Sequence, residues 1–365
     1  MMTKKCSLKA IIIFLISVSF CFSAAVYGKE TEIILKGAGA TFPYPLYKEW
    51  MRVYKAETGI RMSYRAIGSG GGIKALLNRE VDFGATDAFL SDRELKKTEN
   101  EILHIPTCMG AVVIIYNLPG KPALQLSPRL VTDIFLGKIT RWSDKQIQTV
   151  NPGVKFPDLK IALVHRSDSS GTTFIFTNYL SAISRQWKEN VGAGKLVRWP
   201  TGIGVERNPG VANFVKKVPG AIGYVELTYA VHVGLPTAMI QNKSGHFIKP
   251  TLKSLNYAAR VRLPEDTRTL IIDTPTTRGY PISAFTWLIF YKEQSYGNRS
   301  LKRAKTLACY LWWVIHNGQN YNTQNIYGTL PSEAIKKAEN IIRSMVFRGK
   351  PIAVRHDGCT DARIW

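Results

Sequence analysis

The 365-residue sequence predicts an α/β fold, and two observations carry that reading. A strand, a turn of glycine and hydroxyl residues, and a helix follow one another repeatedly, the order expected of a sheet covered by helices. The length left after an N-terminal export segment suits two domains or one large one, with ample chain for a core.

The export segment comes first. Lys4, Lys5 and Lys9 form a basic region, and Ala10 to Phe22 is an apolar run of signal-peptide length. Ser23 to Gly28 then offers small residues for cleavage after Ala25 or Gly28. The run is short for a spanning helix, so residues 1–28 predict a cleavable signal peptide and export. Cys21 raises the question of lipidation, against which the bulky Phe20 argues. Cys108, Cys309 and Cys359 remain after processing; they allow at most one internal disulfide, and the sequence does not pair them.

The first unit opens with a strand at Glu32 to Leu35 and the turn Gly37-Ala-Gly-Ala-Thr-Phe-Pro. Pro43 and Pro45 suit the first turn of a helix. Leu46, Trp50 and Tyr54 recur at helical spacing until Gly59 stops it. The second unit is a strand at Met62 to Ile67, the turn Gly68-Ser-Gly-Gly-Gly, and a helix from Ile73 to Arg79. Neither turn completes a P-loop or a dinucleotide fingerprint, which argues against nucleotide binding. A strand at Val81 to Gly84 then leads to Asp87, with Ser91 and Asp92 starting another helix.

The third glycine turn is His165-Arg-Ser-Asp-Ser-Ser-Gly-Thr, with a helix opening at Thr172. Taken singly, each of the three is an ordinary helix cap or strand–helix corner. Together they are three helix starts preceded by Gly, Ser or Thr, where unpaired N–H groups and a partial positive charge receive oxyanions. Arg166 adds a planar donor fork, and Asp168 is placed to hold it. Asp87 faces the other way chemically: a carboxylate against an oxyanion is repulsive unless the anion brings a proton, which phosphate does and sulfate does not.

The formal net charge is +23, or +20 without residues 1–28. The cations are scattered, and no nucleic-acid-binding signature accompanies them. No Cys/His spacing resembles a metal site, and no cofactor is expected. The stretches Lys195 to Gly204 and Asn208-Pro-Gly read as loops. Leu301 to Asn317 reads as an amphipathic helix with Trp312 and Trp313 as packing residues.

Four of these motifs, Gly37-Ala-Gly-Ala-Thr-Phe-Pro, Gly68-Ser-Gly-Gly-Gly, Val81-Asp-Phe-Gly-Ala-Thr-Asp and Arg166-Ser-Asp-Ser-Ser-Gly-Thr, closely resemble the periplasmic phosphate-binding proteins of phosphate-specific ABC importers. The resemblance continues through Asp133-Ile-Phe-Leu-Gly-Lys-Ile-Thr-Arg-Trp, Val218-Pro-Gly-Ala-Ile-Gly-Tyr-Val-Glu and Tyr280-Pro-Ile-Ser-Ala-Phe-Thr, in order along the mature chain. It implies a type II periplasmic binding protein, two α/β lobes joined by crossing hinge strands with the ligand in the cleft. Lobe I would take residues 29–116 and 284–365, and lobe II residues 117–283.

The same resemblance implies phosphate ligands at Thr41, Phe42 (through its N–H), Ser69 and Asp87 from lobe I. From lobe II it implies Arg166, Ser170, Gly171 and Thr172, with Asp168 supporting the arginine. Gly70 replaces a common second serine and Thr86 a common serine; His165 receives no role. The implied protein is a periplasmic monomer, not an enzyme, delivering inorganic phosphate to an inner-membrane ABC permease with its ATPase. Two other readings compete with it. One is an exported phosphohydrolase or serine hydrolase using Ser69 or Ser170, for which no base stands at a suitable spacing. The other is a polyanion-binding protein acting through its basic surface.

Overall fold

The computed structural model describes residues 33–353. The signal peptide expected over 1–28, and Cys359, lie outside that range. The strands run β1 (Ile34–Gly39), β2 (Arg61–Ala66), β3 (Phe83–Thr86), β4 (Ile102–Tyr116), β5 (Gln125–Leu126), β6 (Ala162–Arg166), β7 (Ile203–Val205), β8 (Ala221–Glu226), β9 (Met239–Gln241), β10 (Phe247–Ile248), β11 (Ile271–Ile272), β12 (Ile282–Tyr291), β13 (Val346–Phe347) and β14 (Lys350–Pro351). Helices α1 (Tyr44–Thr58), α2 (Ser69–Leu77) and α3 (Asp92–Leu95) precede β4. After it come α4 (Pro128–Phe135), α5 (Lys145–Val150), α6 (Gly171–Ile183), α7 (Arg185–Asn190), α8 (Arg207–Lys217), α9 (Leu227–Val233) and α10 (Leu252–Ala258). Helices α11 (Leu301–Ile315) and α12 (Ser332–Arg343) close the series.

One sheet of order β2-β1-β3-β12-β4-β8-β6-β7 runs through the molecule, with β11 beside β12. Strand β4 organises it. Its first part, from Ile102 to Ala111, pairs antiparallel with β12, and its last part, Val112 to Tyr116, pairs antiparallel with β8. Because β12 also runs antiparallel to β3, β4 points the same way as β1, β2 and β3. Strand β8 therefore runs against them, and takes the parallel pair β6 and β7 with it. The carboxyl ends of β1–β3 and of β6–β8 thus face each other near the middle of β4. In open α/β sheets that edge is where ligands bind.

The middle of β4 carries an irregularity. Thr286 pairs with Cys108 but Trp287 pairs with Pro106, leaving Thr107 as the extra residue. Pro106 has no N–H to give the ladder, and a bulge is one of the few places a sheet interior accepts it. Thr107 finds its partners elsewhere: its Oγ1 bonds the Thr286 carbonyl and the Tyr47 hydroxyl, and Gln319 donates to its carbonyl at 2.8 Å.

Two aromatic clusters flank the sheet. Tyr47, Trp50, Tyr54, Tyr310 and Trp313 interlock between α1 and α11. Phe135, Phe176, Trp199 and Tyr224 stack between α4, α6 and β8. Trp312 and Trp313 are both buried, as the packing reading expects, and Trp313 Nε1 also donates to Glu57 at 2.7 Å. Cys108 is a buried free thiol, and Cys309 is disulfide-bonded. Among the described residues no helix is long and apolar enough to cross a membrane.

Three local expectations need correction. Helix α2 starts at Ser69, not Ile73, so Gly70, Gly71 and Gly72 form its first turn instead of a preceding loop. Gly72 is needed there for space: a Cβ would lie 2.5 Å from the Gly39 Cα. The stretch Asn208-Pro-Gly is not a loop but the start of α8, entered through Arg207 at φ 64°. Ile203 and Gly204, also read as loop, belong to the edge strand β7.

Candidate functional site

Each glycine turn of the sequence delivers its residues to the edge described above. Thr41 and Phe42 follow β1 directly. Ser69 opens α2 just beyond β2, after Gly68 at φ 84°, a conformation open to glycine at little cost. Asp87 follows β3. Arg166 ends β6, Ser170 is the cap of α6, and Gly171 and Thr172 form that helix's first turn. As the cap reading predicts, the Ser170 hydroxyl accepts the Thr173 N–H at 3.1 Å. The N–H groups of Gly171 and Thr172 fall in the turn that has no intrahelical acceptors.

The two sets meet. A Cβ on Gly171 would stand 2.2 Å from Ser69 Oγ and 2.4 Å from Asp87 Oδ2, so the start of α6 lies directly against Ser69 and Asp87. The Gly70 N–H donates to the Ser169 carbonyl at 3.0 Å. At the rim, Lys195 Nζ sits 2.9 Å from Glu94 Oε1, while the Lys195 carbonyl accepts the Ser170 N–H. These contacts join residues before β4 to residues after it: the structure is closed around the site.

Arg166 is 1 % exposed, and its guanidinium is held from two sides. Nε and Nη2 donate to the two oxygens of Asp168 at 2.6 and 2.5 Å, while Nη1 reaches Thr172 Oγ1 at 3.4 Å. The Asp168 carboxylate also accepts the Arg207 N–H. Burial alone would raise its pKa; the bonds and charge of Arg166 outweigh that and lower it. A bidentate Arg–carboxylate pair keeps the fork planar and fixed, leaving Nη1 directed toward Thr172.

Asp87 is fully buried. Burial pushes its carboxyl up to about 7, against the opposing pull of the Thr286 hydroxyl, the Arg166 charge and the Ser69 hydroxyl. Thr286 Oγ1 donates to Oδ1 at 2.7 Å from the β12 position opposite the β4 bulge, and Ser69 Oγ lies 3.3 Å from Oδ2. A carboxyl group therefore does stand beside Ser69, contrary to the expectation that no base would. The same hydroxyl accepts the Asp87 N–H at 3.1 Å. Among the described residues no group of His, Cys, Asp and Glu is placed to hold a metal ion.

The Thr41–Phe42 turn is held by its carbonyls. Tyr229 on α9 donates to the Thr41 carbonyl at 2.6 Å, and Tyr327 donates to that of Phe42 at 2.7 Å. Tyr327 also touches the buried Glu226, whose carboxyl burial drives well above the usual range. Sequence reasoning missed Asn208, Thr286 and Tyr229. Thr286 closes a motif singled out above, yet no local pattern shows that a bulge aims it at Asp87. Asn208 hides inside an Asn-Pro-Gly run that reads as a turn.

A cavity of about 470 Å³ lies elsewhere, between the end of α10 and the start of α12, lined by Met109, Arg260, Leu263 and Leu330 among others. None of the anion-site candidates borders it.

The chain matches a model of the PBP superfamily domain over residues 24–317. It is 39% identical over 315 residues to a protein of Xylella fastidiosa named phosphate-binding protein PstS, covering 84% of each chain. To the protein of that name in Pasteurella multocida it is 38% identical over 343 residues, covering 93% of this chain and 95% of the other. In Methanocaldococcus jannaschii the corresponding figures are 40% over 313 residues and 80% of each. Its fold resembles a high-affinity periplasmic phosphate-binding protein solved with phosphate (TM-score 0.67, 21% identity, 84% of this chain and 93% of that one). It also resembles the phosphate-binding protein of Stenotrophomonas maltophilia (TM-score 0.66, 20% identity, 85% and 94%).

Proposed function

Because the chain belongs to the PstS family of phosphate-binding proteins within the PBP superfamily, and has a type II periplasmic binding fold, we propose that it captures inorganic phosphate between the two groups of helix starts and releases it to an inner-membrane ABC permease. The observation that carries the reading is the mixture of partners at one buried spot. Ser, Thr, Arg and helix N–H donors surround a single acceptor, Asp87. That suits an oxyanion that still owns a proton: phosphate gives its hydroxyl to Asp87 and takes hydrogen bonds on its other oxygens. Above about pH 7, where Asp87 is ionised, sulfate would set two acceptors face to face, at the cost of an unmatched buried charge.

In this reading Thr41, the Phe42 N–H, Ser69 and Asp87 hold the anion from one lobe. Arg166, Ser170, Gly171 and Thr172 hold it from the other, with Asp168 fixing Arg166. The lobes are residues 29–116 with 284–365, and 117–283; β4 and the strands beside it serve as the hinge. The protein works as an exported periplasmic monomer without catalytic activity. Calorimetry of the purified mature chain with phosphate, sulfate and arsenate tests the reading. One phosphate per chain with sulfate silent supports it. Hydrolysis of a phosphoester that vanishes in Ser69→Ala would establish the competing hydrolase built on the Ser69–Asp87 pair.

A further inference from the structure

We infer that Asn208 is a positioning residue for the anion: it turns the hydroxyls of Thr41 and Thr172 into donors aimed at the ligand, and couples that orientation to closure. The inference rests on the phosphate-binding reading and adds to it a residue that does not itself need to touch the anion. Asn208 is completely buried at the start of α8. Its Nδ2 lies 3.0 Å from Thr41 Oγ1 and 3.1 Å from Thr172 Oγ1, one on each side of the closed site. Its Oδ1 lies 3.3 Å from the Glu226 N–H.

That backbone N–H decides which way the amide faces. A backbone N–H only donates, so the oxygen of Asn208 must face Glu226 and both protons of its NH₂ must face the threonines. A threonine hydroxyl has one proton and two acceptor sites. At Thr41 the amide occupies an acceptor site, so the hydroxyl proton points elsewhere. At Thr172 both acceptor sites are approached, by Asn208 Nδ2 and by Arg166 Nη1 at 3.4 Å. The one protein acceptor near that proton is Asn208 Oδ1, also at 3.4 Å and already engaged by Glu226. A charged oxyanion is a far better acceptor. The Thr172 hydroxyl is therefore set as a donor from within its own lobe, whereas the setting of Thr41 depends on Nδ2 reaching across from α8 to the turn after β1. Opening the cleft parts Asn208 from Thr41, so that donor is aimed only in the closed form.

A mutant cycle separates orientation of the hydroxyls from simple packing. Asn208→Leu keeps much of the side-chain volume and removes both polar ends. In the otherwise unchanged chain it is expected to weaken phosphate binding by about 10- to 100-fold, the scale of one or two hydrogen bonds to a charged group. In a Thr41→Val/Thr172→Val background, titrated to millimolar phosphate, it should cost less than about threefold, because no hydroxyl remains to be aimed. Equal losses in both backgrounds, or no loss in the first, overturn the inference while the phosphate reading stands. A parent chain that binds no phosphate removes that reading itself.

Two safeguards keep the comparison decisive. If Asn208→Leu does not fold, as judged by circular dichroism, Asn208→Ser takes its place. If the double-valine background binds too weakly to titrate, the single Thr172→Val background is used. There the Asn208 substitution should still cost clearly less than in the parent chain.

Discussion

At the scale of single residues, the proposed function makes Asp87 the group that selects the anion, and its raised carboxyl sets a pH response. With its carboxyl held near 7 against an ordinary 3.8, the folded chain keeps a proton that the unfolded chain gives up. Below pH ~4 both states carry that proton; between there and about 7 only the folded state does, so stability falls as pH rises through this window and levels off above it. Three units correspond to a decline on the order of 4 kcal/mol. Urea unfolding of phosphate-free protein at pH 5 and pH 8 should show the decline, and Asp87→Asn should flatten it. The same substitution replaces one acceptor oxygen by an NH₂ donor. Sulfate binding should then rise at least tenfold, about 1.4 kcal/mol, with phosphate little affected, as competition calorimetry would reveal. Sulfate that stays undetectable while phosphate binds normally would place the selectivity elsewhere. Arg166 makes the complementary case. Truncation to alanine leaves the part-buried Asp168 without its partner, and phosphate affinity should drop by about 2–5 kcal/mol. A change under ~1 kcal/mol would remove Arg166 from the site.

At the scale of elements, closure depends on how near the first turn of α6 comes to Ser69 and Asp87. Gly171→Ala would push a methyl group into Ser69 Oγ and Asp87 Oδ2. Neither atom can yield easily, since Asp87 is pinned by Thr286 and Ser69 by the Asp87 N–H. The substitution should leave the unfolding midpoint of the phosphate-free protein nearly unchanged, because an opened cleft relieves the clash, yet weaken phosphate binding at least tenfold, about 1.4 kcal/mol. Calorimetry and small-angle scattering with and without phosphate would check both halves. Elements also mark how far the sequence could be read. Each turn carrying Thr41, Ser69, Asp87 and Arg166 was legible because glycine, hydroxyl and charge stand together over a few residues, between a strand and a helix. The first turn of α2 was misread since three glycines look like a loop by propensity; close neighbours favour them over any larger residue, Ser169 at Gly70, Ile67 at Gly71 and β1 at Gly72. Asn208 was hidden for a related reason, its role being set by where α8 packs. Thr286 reaches Asp87 from about two hundred residues away, beside a bulge that no sequence period announces.

At the scale of the whole molecule, the formal charge of +23 must coexist with a site that holds its charges in pairs or buried. Arg166 is matched by Asp168, which leaves Asp87, protonated up to about pH 7, as the unpaired carboxyl of the closed pocket. The excess cations, scattered through the sequence, act at a distance. A field of that sign raises the local concentration of small anions and speeds their encounter with the open cleft, an effect that salt screens over about 10 Å at ordinary ionic strength. In the proposed closed complex the anion would be held by short directional bonds inside protein, where salt has little reach. The rim pair Lys195–Glu94 lies nearest the site among the ion pairs that join the proposed lobes, Arg268–Asp92 and Lys337–Glu265 being the others, and its partly exposed position limits it to less than about 1 kcal/mol. Stopped-flow binding at increasing salt should therefore show the association rate falling several-fold, while the dissociation rate changes by less than about twofold. Lys195→Ala should remove part of the small salt dependence that dissociation retains, the pairs Arg268–Asp92 and Lys337–Glu265 keeping the rest. A dissociation rate that climbs steeply with salt would mean that surface charge, and not the buried donors, keeps the anion in place. An association rate indifferent to salt would mean that the basic surface serves a partner other than phosphate.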